Sequence, residues 1–356
     1  MSSEMWVESH KGAYAARLDE ELIADLGSLI TPGSFTLVDA NVARIYAKQF
    51  GNSLNSPTIQ IIEATETNKS IVNIIPVIEA MVEAGAKRGQ VLTAIGGGVI
   101  QDIACFISSV LFRGVPWRFV PTTLLAQADS CIGSKSSVNL GKFKNTLGTF
   151  NPPIEVIVAP GFLKSLSEVE ILSGIGEILK VHAIKGKDAF DRLSADYEFL
   201  LSSEDTLRRY IWDALLIKKH YIEKDEFDQN IRNIFNYGHS FGHAIESATD
   251  YGVPHGIAVT MGMDIANHVA MQRNTTSGDS YHRMTTVLKK NYARYASTDI
   301  SCERMIAALQ RDKKNTATQL TLILPHGDDA KIEKCTVDLD NAFHTQLSVA
   351  LEDIRQ

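Results

Sequence analysis

Along the first 160 residues, short β-branched apolar runs alternate with amphipathic ones. Residues 34–39 (SFTLVD), 58–63 (TIQIIE), 90–95 (QVLTAI), 117–120 and 154–158 each predict a strand. Residues 70–87 set Ile71, Ile74, Ile75, Ile78 and Met81 at helical spacing along one face. Strands alternating with helices predict a largely parallel sheet with helices on both sides, and such sheets take ligands at the carboxyl ends of their strands. From about residue 162 the period changes. Residues 168–183, 204–224, 230–249 and 257–272 carry helical periodicity, and only 320–324 and 332–337 look extended near the end. The expected fold class is α/β, with a parallel-sheet domain over residues 1–160, a mainly α-helical domain over 161–356, and a boundary near Pro160.

With 44% apolar and 22% charged residues, the 356-residue chain has ample material for a core, which excludes a disordered or collagen-like protein. Its formal charge of −7 offers no basic surface to a nucleic-acid backbone, so no nucleic-acid partner is expected. A small anion needs only one local basic pocket. No segment approaches 18 uncharged apolar residues, so no membrane span is expected. Cys105, Cys131, Cys302 and Cys335 are far apart and form no CxxC pair, which argues against a disulfide framework or a thiolate zinc site. The opening residues have neither a basic start nor an apolar stretch, and a cytoplasmic location is expected.

Three segments carry candidate chemistry. GGGVIQD, residues 96–102, follows a predicted strand and opens a helix. Its glycines let a pyrophosphate approach the backbone, and the helix N-terminus adds N–H donors. Asp102 falls in the first turns, within reach of a ribose or nicotinamide. A tight strand-to-helix turn without a ligand suits the same string, since Gln101 stands where a GxGxxG pattern wants glycine.

The second segment is a polar stripe of Asp228, Arg232, Asn236, His239 and His243, spaced 4, 4, 3 and 4. On one continuous helix these share a face, and two histidines a turn apart are a standard way to hold a metal. Ordinary surface histidines are the other possibility. His255, in a predicted turn, and Glu177, an acid in the apolar GIGEILK one turn before Lys180, extend the stripe. Glu177 with two histidines makes the ligand type of a catalytic zinc.

The third is VPTTLLAQAD, residues 120–129, followed by Gly133-Ser134-Lys135, Asn139 and Lys144-Asn145, with Arg113 upstream. Such a stretch suits anion binding by backbone N–H groups and ammonium. A plain polar loop is the alternative.

Together these segments resemble the 3-dehydroquinate synthase family and its sugar phosphate cyclase relatives. The strings are GGGVIQD, RGVPWRFVPTTLLAQADSCIGSKSSVN, GKFKN, GIGEILK, RNIFNYGHSFGHAIE, VPHG and RDKKN, in the family's order from about residue 39 to 315. The resemblance implies an N-terminal Rossmann-like domain, a C-terminal helical domain and a homodimer. It implies Zn2+ (or Co2+) on Glu177, His239 and His255. It implies an NAD pocket from Asp39, Glu66, Lys69, Gly97, Gly98, Asp102, Thr122, Thr123 and Lys144. A sugar-phosphate pocket would draw on Asp129, Lys135, Asn145, Lys180, Lys218, Arg232, Asn236, His243 and one of Lys313 and Lys314, with Arg113 near the phosphate. The implied reaction converts a seven-carbon sugar-acid phosphate to a carbocycle by transient oxidation, phosphate elimination, re-reduction and aldol closure.

Departures from the family pattern are Gln101 for Gly, Ser134 for Gly, Asp228 for Glu, Phe235 for Leu and Ile257 for Glu. They leave open a paralogous cyclase acting on another sugar phosphate. A metal- and NAD-dependent polyol dehydrogenase is a further alternative. Lys135, Lys218 and Arg232 argue against it, because a neutral polyol needs no such cations.

Overall fold

The computed structural model describes residues 4–355 except Pro32, Lys142, Lys313, Lys314 and Ala317. The chain divides into two compact units, Met1–Ser167 with Lys218–Phe227, and Glu168–Ile217 with Asp228–Gln356.

The first unit is built on a seven-stranded sheet of order β1-β2-β9-β6-β5-β3-β4. Five strands fall on the apolar runs: β3 (Phe35–Asp39), β4 (Ile59–Ile62), β5 (Leu92–Gly96), β6 (Trp117–Pro121) and β9 (Glu155–Val158). Every residue of β3 and β5 is buried, as expected of central strands in a parallel sheet. Val38, Ile95, Val120 and Ile157, one from each central strand, share a core with Tyr46, Phe50 and Phe162. Parallel pairing sets Val38 beside Ile95 and Gly96 beside Pro121. Asp39, Gly97 and Thr122 therefore emerge at the same, carboxyl edge of the sheet.

Two strands of this sheet had no strong pattern. These are β1 (Glu4–Val7), antiparallel to β2 (Tyr14–Leu18), which itself runs parallel to β9. A separate hairpin, β7 (Val138–Leu140) with β8 (Phe143–Leu147), carries the end of the third candidate segment, Asn139 and Lys144-Asn145. The helix predicted at 70–87 spans Ile71–Glu83; Ile74 and Met81 are buried, but Ile75 is exposed.

The second unit is helical apart from one antiparallel hairpin, β10 (Gln319–His326) with β11 (Lys331–Asp338). The helix His255–Gln272 is its centre, with every residue from Gly256 to Ala270 buried. It packs against the helices His239–Ala248, Gly278–Tyr292 and Glu168–Lys185. A helix buried around its whole circumference belongs inside a bundle, and its polar members Thr260, Asp264, Asn267 and His268 are buried with the rest. Among the described residues no helix is long and apolar enough to cross a membrane, and all four cysteines are free.

Candidate active site

The predicted helix over 230–249 does not form as one piece. Asp228 takes a left-handed φ of 58°, residues Ile231–Asn236 make a 3-10 helix, and Gly238 at φ 76° separates it from the helix His239–Ala248. Helical spacing of side chains carries no mark of a backbone reversal at glycine, and the chain turns there. The five stripe residues are thus split: Asp228 stands alone, Arg232 and Asn236 share the 3-10 helix, and His239 and His243 share the α-helix with ring centroids 5.5 Å apart. His255 is also displaced from expectation. It opens the helix His255–Gln272 behind Pro254 rather than sitting in a turn.

That helix start places His255 beside Glu177. Glu177 Oε1 lies 3.5 Å from His255 Nε2 and 3.7 Å from His239 Nε2. Four-coordinate zinc with bonds of about 2.0–2.1 Å holds its ligand atoms about 3.4 Å apart, so the three donors fit one tetrahedral ion with a position left over. The other ring nitrogens are engaged behind them. His239 Nδ1 lies 3.2 Å from the Tyr237 carbonyl oxygen, and His255 Nδ1 lies 3.3 Å from Glu246 Oε1. Such contacts direct both Nε2 atoms toward Glu177. His243, Glu246 and His255 form a second group of potential ligand atoms sharing His255.

Close helix crossings bring these donors together. A β-carbon on Gly176 would overlap the Gly256 carbonyl oxygen, so the residues next to Glu177 and His255 meet without side chains between them. At Gly238, next to His239, a β-carbon would stand 2.5 Å from the Val259 carbonyl oxygen.

Lys180, buried with Glu177, places Nζ 2.5 Å from Glu177 Oε2 and 5.7 Å from the Phe235 ring centroid. Burial alone would raise the Glu177 carboxyl. Lys180, His239 and His255 overcome it and hold the group well below the usual carboxylate range. Burial, then the Lys180 cation, press His239 well below the usual imidazole range and keep it neutral. Burial acts the same way on His255, but Glu177 and Glu246 outweigh it and lift the ring to about 10. The pocket favours a cation at that nitrogen, proton or metal. Arg232 is buried in the same unit, and Asn236 Nδ2 donates to the Asn233 carbonyl at 3.0 Å.

The first unit holds most of the other expected residues. Gly97 caps the helix Gly98–Val110 without a side-chain hydrogen bond, and a β-carbon on Gly98 would meet nothing within 4 Å. This open cradle at a helix N-terminus suits a pyrophosphate. Thr122 donates its N–H to the Gly96 carbonyl at 3.0 Å, and Thr123 Oγ1 accepts from the Ala126 N–H at 3.2 Å. Asp39 caps its own helix by accepting from the Asn41 N–H at 2.8 Å.

Lys69 Nζ sits among Asp102 Oδ2 at 3.2 Å, Asn145 Oδ1 at 3.0 Å and Glu66 Oε1 at 3.4 Å. Asp102 also accepts from the Ser137 N–H at 2.9 Å, and burial lifts its carboxyl above the usual range despite Lys69. Asn145, expected with the sugar phosphate, thus lies in the Lys69–Asp102 cluster. Lys144 and Lys135 are exposed nearby in sequence.

Lys218 Nζ pairs with Asp129 Oδ1 at 2.9 Å and donates to the Asp129 carbonyl at 2.6 Å. Asp129 lies in a π-helical turn, Ala126–Ser130, a form that recurs at functional sites. Arg113 is exposed, and it and Phe112 both take left-handed φ, 67° and 52°. Lys313 and Lys314 lie outside the described residues.

Three contributors escaped the sequence reading. Glu246 backs His255, Tyr237 offers its carbonyl to His239 while its hydroxyl meets Asn267, and Ser137 serves Asp102. Glu246 closes the string RNIFNYGHSFGHAIE one helical turn after His243, which was the available signal.

Residues 59–173 match the family model described as 3-dehydroquinate synthase N-terminal, and residues 174–315 match 3-dehydroquinate synthase C-terminal. The 3-dehydroquinate synthase of Alkaliphilus metalliredigens (strain QYMF) is 32% identical over 335 residues, 91% of this chain and 93% of that protein. That of Thermoanaerobacter sp. (strain X514) is 34% identical over 300 residues, 83% of this chain and 84% of that protein. Among solved structures, 2-epi-5-epi-valiolone synthase of Streptomyces hygroscopicus subsp. jinggangensis 5008, with NAD+ and Zn2+ bound, aligns at a TM-score of 0.81 and 26% identity, covering 96% of each chain. The chain belongs to the 3-dehydroquinate synthase family.

Proposed function

We propose that this protein is a sugar phosphate cyclase, a carbon–oxygen lyase converting 3-deoxy-D-arabino-heptulosonate 7-phosphate to 3-dehydroquinate and phosphate. The observation that carries the proposal is the donor set of Glu177, His239 and His255 next to buried Lys180, within a chain whose relatives of this length are 3-dehydroquinate synthases. Bound NAD supplies reversible hydride acceptance, and a bound Zn2+ (or Co2+) ion supplies Lewis acidity.

The chain's own residues supply the remainder. Glu177, His239 and His255 would hold the metal. Gly97, Gly98, Thr122, Thr123, Asp102 and Lys69 would hold the nucleotide, with Asp39, Glu66 and Lys144 at its margin. Lys218 and Arg232 suit the substrate carboxylate through charge-assisted hydrogen bonds. Lys135, Arg113 and the Lys313–Lys314 pair suit phosphate. Asp129, Asn145, Lys180, Asn236 and His243 would orient hydroxyl groups and move protons. Oxidation of one substrate alcohol acidifies the neighbouring C–H, which permits phosphate to leave. Reduction of the resulting ketone then precedes ring opening and an intramolecular aldol closure.

A second substrate within the same class has its own support. Phe235 lies over the Lys180 ammonium, where the family pattern has Leu, and a larger ring there reshapes the pocket. One assay separates the two readings: phosphate release from the heptulosonate phosphate, with product identification, beside sedoheptulose 7-phosphate and glucose 6-phosphate. Turnover of the carboxylate substrate alone supports the synthase, and preference for either phosphate that lacks a carboxylate supports the paralogue.

A homodimer in the cytoplasm completes the proposal. Exposed Ile61, Val72, Ile75 and Val82 on β4 and the following helix support an interface. Light scattering in solution tests it.

A further inference from the structure

Gln101, where the family pattern has glycine, makes a two-sided clasp. Its Nε2 donates to the Ser130 carbonyl at 2.6 Å, and its Oε1 accepts from Ser130 Oγ at 2.6 Å. The Gln101 side chain is buried, so little water is at hand to replace either bond. Ser130 ends the π-helical turn that carries Asp129, whose carboxylate and carbonyl both hold Lys218 Nζ. The next residue of the same helix, Asp102, ties down Ser137 and Lys69. Two consecutive side chains on the helix Gly98–Val110 thus anchor the turn that carries Asp129 and the segments that carry Ser137 and Lys69.

We propose that Gln101 is a positioning residue for the sugar phosphate: by clasping Ser130 it sets the Asp129–Lys218 pair in the orientation that receives the substrate. A π-helical turn is a rare conformation, and relaxing it moves both Asp129 oxygens that direct the Lys218 ammonium. Gln101 touches no proposed substrate group itself. The inference rests on the cyclase reading for its kinetic test, but a second readout needs no substrate.

The variants are Gln101→Leu, of similar size without hydrogen bonds, Ser130→Ala, and Ser130→Thr, which keeps the hydroxyl. Loss of the clasp should raise KM for the heptulosonate phosphate about tenfold in Gln101→Leu, as expected for unmaking buried hydrogen bonds. The Kd for NAD, from fluorescence titration, should stay within about twofold, because the Asp102 contacts remain. Ser130→Ala should raise KM in the same direction, Ser130→Thr should restore it, and the double variant Gln101→Leu/Ser130→Ala should be no worse than Gln101→Leu alone. The substrate-free readout is the rate of reductive methylation at Lys218, followed by peptide mass. It should rise about threefold or more in Gln101→Leu as the ammonium leaves Asp129.

If wild type turns over no sugar phosphate, the cyclase reading fails, and the methylation rate still decides the role of Gln101. An unchanged Lys218 rate overturns the inference. So does a fall in melting temperature with KM unchanged, or an equal rise in KM and in the Kd for NAD.

Discussion

A β-carbon on Gly256 would overlap the carbonyl oxygen of Ser173, so two helices of the second unit meet backbone to backbone one residue from His255. Ser173 Oγ also accepts the Gly256 N–H at 2.9 Å. The backbone separation of the two helices beside Glu177 and His255 is therefore set by main-chain contact, which side-chain motion cannot relax.

Substituting that glycine is the most direct disturbance of the site. Gly256→Ala should cost about 3 kcal/mol of stability, at the upper end for overpacking, because the neighbour is backbone rather than a flexible side chain. Urea unfolding measures the cost, and metal content after dialysis should fall with it. A variant of wild-type stability and full metal content would show that the helices part easily.

One divalent ion per chain is expected on Glu177, His239 and His255. Elemental analysis should find none in His239→Ala. Glu246→Gln, which weakens the contact behind His255, should bind about 10–100-fold less tightly. Full activity of chelated, metal-free wild type would refute the assignment.

The nucleotide should turn over without net consumption. Absorbance in the NADH band should stay flat while phosphate accumulates, since hydride leaves and returns within one cycle. NADH rising in step with phosphate would mean that the hydride is not returned, and the cyclase mechanism fails.

Arg232 should discriminate among substrates. A sugar phosphate that lacks a carboxylate forgoes the charge-assisted hydrogen bonds for which the Arg232 guanidinium is suited. Arg232→Ala should cut kcat/KM for the heptulosonate phosphate about a hundredfold, with much smaller losses for the two phosphates that lack a carboxylate. Equal losses for all three would make Arg232 a scaffold residue.

Buried His182 gives stability a pH dependence of known sign. Burial, despite a hydrogen bond to the Ile178 carbonyl, lowers its pKa to about 4 from an ordinary 6.5. The unfolded chain binds the proton first, so this contribution is fully present above pH 6.5 and is lost as pH falls through about 4. The loss amounts to about 3 kcal/mol. His182→Gln should lose less stability than wild type between pH 7 and 4, by urea midpoints. Parallel curves would disprove the role.

The legible parts of the molecule were those with strong burial patterns. β3, β5 and β6 sit in the middle of the sheet and show it as continuous apolar runs. β1 has four residues with only alternate ones buried, and β8 is almost wholly exposed, so neither leaves a hydrophobic signature. The proposed ligands Glu177, His239 and His255 were visible through motif resemblance. Their mutual placement was not, because it depends on the backbone reversal at Gly238 and the crossing at Gly176 and Gly256. Glu246 and Tyr237 act through histidine nitrogens that face away from the proposed metal, a relationship invisible in residue spacing.

The short segment Lys218–Phe227 is grouped with the first unit while the chain on both sides of it belongs to the second. The backbone thus changes unit three times. A fragment ending near residue 160 lacks Lys218, the partner of Asp129, and also Glu226, which accepts from the Ser9 hydroxyl and the His10 N–H. Splitting the gene at a single junction leaves the nucleotide half without part of its own substance. Chimeras between relatives need three matched crossover points, because a single crossover near residue 160 takes the Lys218–Phe227 segment of the first unit from the other parent.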